Sequence, residues 1–239
     1  MNARIAIVTG AAKRVGRTIS EALLGDGWTV VAHCRQEGDA VPAGAIAVAA
    51  DLGAGDCAER IMAACPGPPT LLVNNAARFA PDSLDAFSPE EFAAHMAVNV
   101  QAPALLIAAF AAAGGEGDRL VVNVTDAKLA ALNPDFLSYT LSKAALATLT
   151  ELSARALAGQ GIRVNAIAPA LMLPSAGQSD ENFSAMHERN PLGRGVRPED
   201  VVAALRFLLD SRVMTGEILL IDGGQRFLGL SRDVQFLDR

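Results

Sequence analysis

The chain has 239 residues, 51% of them hydrophobic and 5% aromatic, and a formal charge of −6. An acidic chain without a basic run is a poor partner for nucleic acid, and no apolar run of about 18 residues free of charges and breakers suggests a membrane span. The opening Met1-Asn2-Ala3-Arg4 lacks a signal-peptide pattern, and the odd count of Cys34, Cys57 and Cys65, with no CxxC spacing, argues against a zinc site or a disulfide framework. A cytoplasmic protein with passive thiols and no metal is expected.

Short β-branched runs are expected as strands at 4–9, 29–33, 45–50, 70–74, 119–124, 162–167 and 217–221. Helical patterns lie between them near 14–26, 55–65, 88–113, 137–159 and 198–210. This alternation predicts an α/β fold of the Rossmann type: a doubly wound, seven-stranded parallel sheet with helices on both faces, in one domain over 1–239. Ligands of such sheets bind at the carboxyl ends of the strands, so the strand ends are taken in chain order.

Strand one runs into Thr9-Gly10-Ala11-Ala12-Lys13-Arg14-Val15-Gly16. Glycines at this turn let backbone amides of Gly10 and Lys13 to Gly16 approach a pyrophosphate at a helix N-terminus. Strand two ends at His33-Cys34-Arg35. NAD-specific sites place a ribose-binding acid here, whereas Arg35 offers a planar cation for a 2′-phosphate, with Lys13 adding charge, so NADPH is favoured over NADH. His33 reads as an ordinary strand-end residue. After strand three, Asp51-Leu52 either accepts from an adenine amino group or caps the next helix. After strand four, Asn74-Asn75-Ala76 suits a turn in which amide side chains tie neighbouring strands together.

Tyr139 is the chain's single tyrosine, and Lys143 lies one helical turn beyond it on the same face. A cation beside a phenol lowers its pKa, which would make Tyr139 a general acid–base near neutrality. The stretch 171–197 carries Pro174, Gly177, Pro191, Gly193 and Gly195 and is long for a connection; it reads as a substrate loop or a passive insertion. The apolar residues of the tail, Phe227, Leu228, Leu230, Phe236 and Leu237, need cover.

Thr9–Gly16, Asp51, Asn74-Asn75-Ala76, Asn99, Tyr139 with Lys143, Pro169 and the closing Asp222-Gly223-Gly224 together resemble the short-chain dehydrogenase/reductase family over essentially the whole chain. The resemblance implies that Lys143 also binds the nicotinamide ribose, that Asn99 holds a water in a proton relay, and that Pro169, Ala170, Leu171 and Met172 pass beside the nicotinamide. It also implies a homotetramer, built on long helices and the last strand, with the tail reaching a neighbouring subunit's pocket.

Two positions depart from the family. Asp126 stands thirteen residues before Tyr139, where most members have a serine, and Arg14 stands where most have glycine. Both are similar to the pteridine reductase branch, in which Arg14 would help place substrate and Phe79 would stack a pterin ring against the nicotinamide. Phe79 is otherwise a core or interface residue. Ala77 replaces the usual Gly or Ser; compared with the pteridine reductases that have Ser, one hydrogen bond to substrate or cofactor is expected to be missing. A buried, protonated Asp126 would suit delivery of a proton to a ring nitrogen through Tyr139. The expected activity is NADPH-dependent reduction of a pterin or dihydropterin, a small-molecule substrate. Alternatives are a carbonyl (ketone or 3-oxoacyl) reductase, with Thr125 supplying the missing hydroxyl, and a non-catalytic NADPH-binding regulator.

Overall fold

The computed structural model describes residues 4–174 and 178–237. Residues 1–3, 175–177 (including Gly177 of the expected loop) and 238–239 lie outside the described residues.

Seven strands form one parallel sheet in the order β3-β2-β1-β4-β5-β6-β7. They are β1 (Ile5–Val8), β2 (Thr29–Cys34), β3 (Ile46–Ala49), β4 (Leu71–Asn74), β5 (Arg119–Val124), β6 (Ile162–Pro169) and β7 (Ile218–Ile221). The central strands are buried throughout, as sheets covered on both faces require. Helices α1 (Arg14–Gly25) and α7 (Pro198–Asp210) pack on one face through Ile19, Leu23, Val201 and Leu205. On the other face lie α2 (Cys57–Ala63), α4 (Ala102–Ala112) and α5 (Leu137–Leu157), through Ile61, Leu106, Phe110 and Ala154.

The strand order reverses at β1, which lies between β2 and β4. This is the switch point where the crossovers leave in opposite directions and open a crevice. The turns after β1 and β4 both feed that crevice.

Two expectations are corrected. The helix expected over 88–113 is α3 (Pro89–Met96), a π-turn at Ala97–Gln101 and α4. By length and composition this run is apolar enough to cross a membrane, which the sequence reading did not foresee. Ala102, Leu106, Ile107 and Phe110 of α4 are instead buried in the core. Next, the stretch 171–197 is not all loop: it contains α6 (Asp180–Arg189), capped by the Ser179 hydroxyl accepting from Asn182 N at 3.1 Å. The tail packs on its own chain, as described below.

Candidate active site

Gly10 begins the turn after β1 with φ +67°, a left-handed conformation that favours glycine. A Cβ at Gly16 would lie 2.2 Å from the Gly10 carbonyl oxygen, so that position admits no side chain. The Gly10 amide itself is taken, donating to His33 Nδ1 at 3.1 Å, while the His33 Nε2 hydrogen goes to Ala50 O at 3.0 Å. Gly10 therefore shapes the turn, and its expected contact through N–H is not made available. Burial holds His33 below its ordinary pKa and hence neutral. The first helical bond runs from Arg17 N to Lys13 O, leaving the Arg14, Val15 and Gly16 amides at the open N-terminus of α1. No acid occupies that first turn. This cradle, closed to side chains and lined by amides, fits a pyrophosphate.

The remaining cofactor candidates divide by side-chain exposure. Lys13, Arg35 and Asp51 are exposed around the crevice. Asp51 accepts from Gly53 N at 2.9 Å and closes its own turn, and Asp56 precedes α2, so Asp51 does not cap that helix. Val15 and Leu52 are buried in the two cores, which leaves only their backbone for a ligand. Asn75 donates through Nδ2 to Thr9 O at 2.9 Å, and the Asn75 and Ala76 amides both donate to Thr9 Oγ1 at 3.0 Å. Asn74 donates to Asn123 Oδ1 at 2.8 Å, so these amides tie β1, β4 and β5 together. Pro169 ends β6, and half-buried Leu171 and Met172 follow it towards α6. His187 of α6 bonds the Leu171 carbonyl at 2.9 Å.

Arg14 has φ +53°, the left-handed region in which a non-glycine residue costs about 1–3 kcal/mol. Its guanidinium donates to Pro174 O at 3.1 Å and Leu173 O at 3.5 Å. These bonds form a clasp joining the turn after β1 to the segment after β6.

The candidate proton-handling groups meet at the ends of β5 and α5. The Tyr139 hydroxyl donates to Asp126 Oδ2 at 2.7 Å, and Asp126 Oδ1 accepts from Lys128 N at 2.8 Å. Lys143 Nζ donates to Val124 O at 2.6 Å and sits 5.6 Å from the Tyr139 ring centroid. Burial pushes the Asp126 carboxyl up, although its hydrogen bonds from Tyr139 and Lys128 oppose the shift. Burial likewise pushes Lys143 down to about 8. Tyr139 is corrected against expectation: burial first, and then the Asp126 carboxylate, drive it well above its ordinary value. The acid next to the phenol outweighs the cation four residues along.

Thr125 is buried, and its hydroxyl donates to Ile167 O at 3.3 Å. It therefore does not supply the hydroxyl suggested for carbonyl reduction. Asn99 sits on the π-turn and accepts from Arg78 N at 2.7 Å while donating to Arg78 O at 3.0 Å and to Ser142 Oγ at 2.8 Å. Its side chain clamps the backbone that presents Phe79. The Phe79 ring is 45% exposed, stacks on Phe136 at 4.4 Å and meets the Tyr139 ring edge-on at 4.8 Å. Phe79, Asp126, Tyr139 and Lys143 are thus brought together.

Sequence reasoning missed several supporting groups. Phe136 takes the left-handed region at the entry to α5, and its other neighbour is Phe236 of the tail, at 5.6 Å. Lys128, Asp135, Arg232 and Asp233 bind the tail to the segment carrying Asp126. Only the excess of apolar residues after Phe227 hinted at this. Among the described residues, the three cysteines are free and no cluster of His, Cys, Asp or Glu could hold a metal. Burial raises all three thiols, Cys65 to about 11.

A family model described as enoyl-(acyl carrier protein) reductase matches residues 10–226. The chain is a short-chain dehydrogenase/reductase. It is 33% identical to L-xylulose reductase of Bos taurus, covering 92% of this chain and 96% of that protein. Carbonyl reductase [NADPH] 2 of Sus scrofa is 32% identical over 92% of this chain and 95% of its own. Among solved structures, FolM alternative dihydrofolate reductase 1 from Brucella suis, in complex with NADP, has a TM-score of 0.84 and 36% identity, covering 95% and 96% of the two chains. The Brucella canis protein of the same name, also with NADP, has a TM-score of 0.82 and 36% identity, covering 94% of both. This short-chain reductase is an oxidoreductase by family.

Proposed function

We propose that this oxidoreductase uses NADPH to reduce a pterin or dihydropterin. The observation that carries the reading is the Tyr139 hydroxyl donating to a buried Asp126 at 2.7 Å, beside the half-exposed ring of Phe79. Reduction of a ring C=N bond places a hydride on carbon and a proton on nitrogen. NADPH, when bound, supplies the hydride.

Tyr139 supplies the proton. While Asp126 is ionised it holds the phenolic hydrogen for itself. Once protonated, Asp126 donates to the Tyr139 oxygen instead, and the phenolic hydrogen is free for the ring nitrogen. The raised carboxyl pKa keeps that protonated form accessible nearer neutrality. Lys143 offsets the charge left on the Tyr139 oxygen. Phe79 offers a π face for a flat heterocycle. Arg35, exposed at the end of β2 with no acid in its place, takes the 2′-phosphate of NADPH, assisted by Lys13.

The names of the structural neighbours favour a dihydropterin-like substrate. Those of the curated relatives favour a carbonyl, and this is the second reading. Against it stands the buried, engaged hydroxyl of Thr125. The test follows NADPH oxidation with 7,8-dihydrobiopterin, 7,8-dihydrofolate, L-xylulose and a 3-oxoacyl thioester. Turnover of the pterins is expected; turnover of the carbonyl compounds alone would sink the reading. A homotetramer belongs to the same proposal: Leu141 and Leu152 of α5 and Ile218 of the edge strand β7 are exposed apolar residues that association would cover. Light scattering checks it.

A further inference from the structure

We propose that Asp233, in the C-terminal segment, is a positioning residue for the Asp126–Tyr139 pair and acts through Lys128. The proposal rests on the reading of that pair as the proton-handling groups.

Asp126 is held from two sides, by the Tyr139 hydroxyl and by the Lys128 amide. The amide belongs to a single turn of 3-10 helix, Ala127–Ala130, which Asp126 caps. One turn is weakly fixed by its own bonds, so its position depends on what grips it from outside. The grip is the Lys128 ammonium, 8% exposed, which donates to Asn133 Oδ1 at 2.6 Å and to Asp233 Oδ2 at 3.0 Å.

Asp233 is itself fixed. Its other carboxylate oxygen accepts from Gln235 N at 3.2 Å, and its amide donates to Asp135 Oδ2 at 2.7 Å. Arg232 Nε donates to both oxygens of Asp135, at 3.0 and 2.8 Å. Phe236 stacks on Phe136, and Leu237 O accepts from Asn182 of α6 at 2.8 Å. The segment is a strap across the entry to α5, 105 residues away in sequence from the lysine it holds.

Charge gives the strap a second effect. The groups acting on Asp126 are Tyr139 and Lys143 from α5, the Lys128 amide from the 3-10 turn and Asp233 from the strap, with the Lys128 ammonium paired to Asp233. Without Asp233, a nearly buried ammonium in the turn that Asp126 caps would lack its counter-ion and would favour the ionised carboxylate. Asp233 cancels that field and adds its own negative charge, which raises both Asp126 and Tyr139. The strap thus keeps the proton on the pair.

Because Tyr139 is the single tyrosine, labelling tyrosine at 13Cζ gives one NMR resonance, and it senses the protonation of its partner Asp126. The titration uses the full chain and needs no substrate. Asp233→Asn is expected to move the acid-side midpoint down by on the order of 0.5–1 pH unit, and Lys128→Met to move it up by a similar amount. Asp233→Glu should restore the original midpoint. Two midpoints that move in the same direction, or not at all, overturn the proposal, as does a resonance with no acid-side step. Opposed shifts in a protein that turns over no pterin would leave Asp233 standing and remove the substrate reading instead.

Discussion

The two halves of the site are made differently. The cofactor half, between β1 and β4, is built largely from backbone: a glycine with positive φ, a glycine with no room for Cβ, and the amides that open α1. The proton-handling half is built from side chains of α5, the end of β5, the segment at Phe79, and the tail. A backbone cradle needs small residues at fixed local spacing. A side-chain constellation needs a tertiary fold to bring distant residues into register. Substitutions should therefore fail differently in the two halves, by lost binding in one and by lost turnover in the other.

The largest effect should come from Tyr139→Phe. Turnover should fall on the order of 10²–10⁴-fold, with NADPH binding, followed by cofactor fluorescence, nearly unchanged. Loss of binding in this variant would break the division. Its mirror is Gly16→Val, in which the added side chain meets the Gly10 carbonyl backbone. NADPH affinity should drop by roughly 100-fold or more, as about 3 kcal/mol of strain implies, with a lower Tm by calorimetry. Binding at wild-type strength would show that the cradle is not where the pyrophosphate lies.

Asp126→Ser should come next. It removes the carboxyl proposed to resupply the Tyr139 proton, and pterin turnover should fall roughly 10–100-fold. Unchanged pterin turnover would remove Asp126 from the mechanism. The pH profile sharpens the same half. Burial lowers Lys143 to about 8, so its cation is present below that pH and lost above it. Turnover should decline as pH rises through about 8, and Lys143→Met should remove that limb along with most activity. The smallest effect lies at the far edge of the cofactor half, where a side chain intrudes on the backbone design: Arg35→Asp should move preference towards NADH by about tenfold, the worth of one exposed charge contact of ~1.4 kcal/mol. No change would mean that the 2′-phosphate is read elsewhere, with Lys13 the next group to test.

Much of the fold was legible because its signals are local. The seven strands, the turn at Thr9–Gly16 and the amides of Asn74 and Asn75 follow from periodicity, glycine and strand-end chemistry. α6 carried a local signal as well, a Ser179 cap followed by Asp180 and Glu181, but the prolines and glycines around it masked the start. The π-turn at Ala97–Gln101 had none. It lies inside an apolar run whose composition continues as helix on both sides.

By itself the sequence determined the sheet, the glycine turn after β1, the pairing of Tyr139 with Lys143 on one helical face, and the unusual Asp126. Only the tertiary structure decided the electrostatics. Tyr139 is governed by burial and Asp126 more than by Lys143, and Arg14 holds the segment after β6. The tail turned back on its own chain to reach Lys128 and Phe136. The reason is physical: glycine conformation and helical spacing act over a few residues, whereas desolvation and ion pairing depend on which groups packing excludes from water.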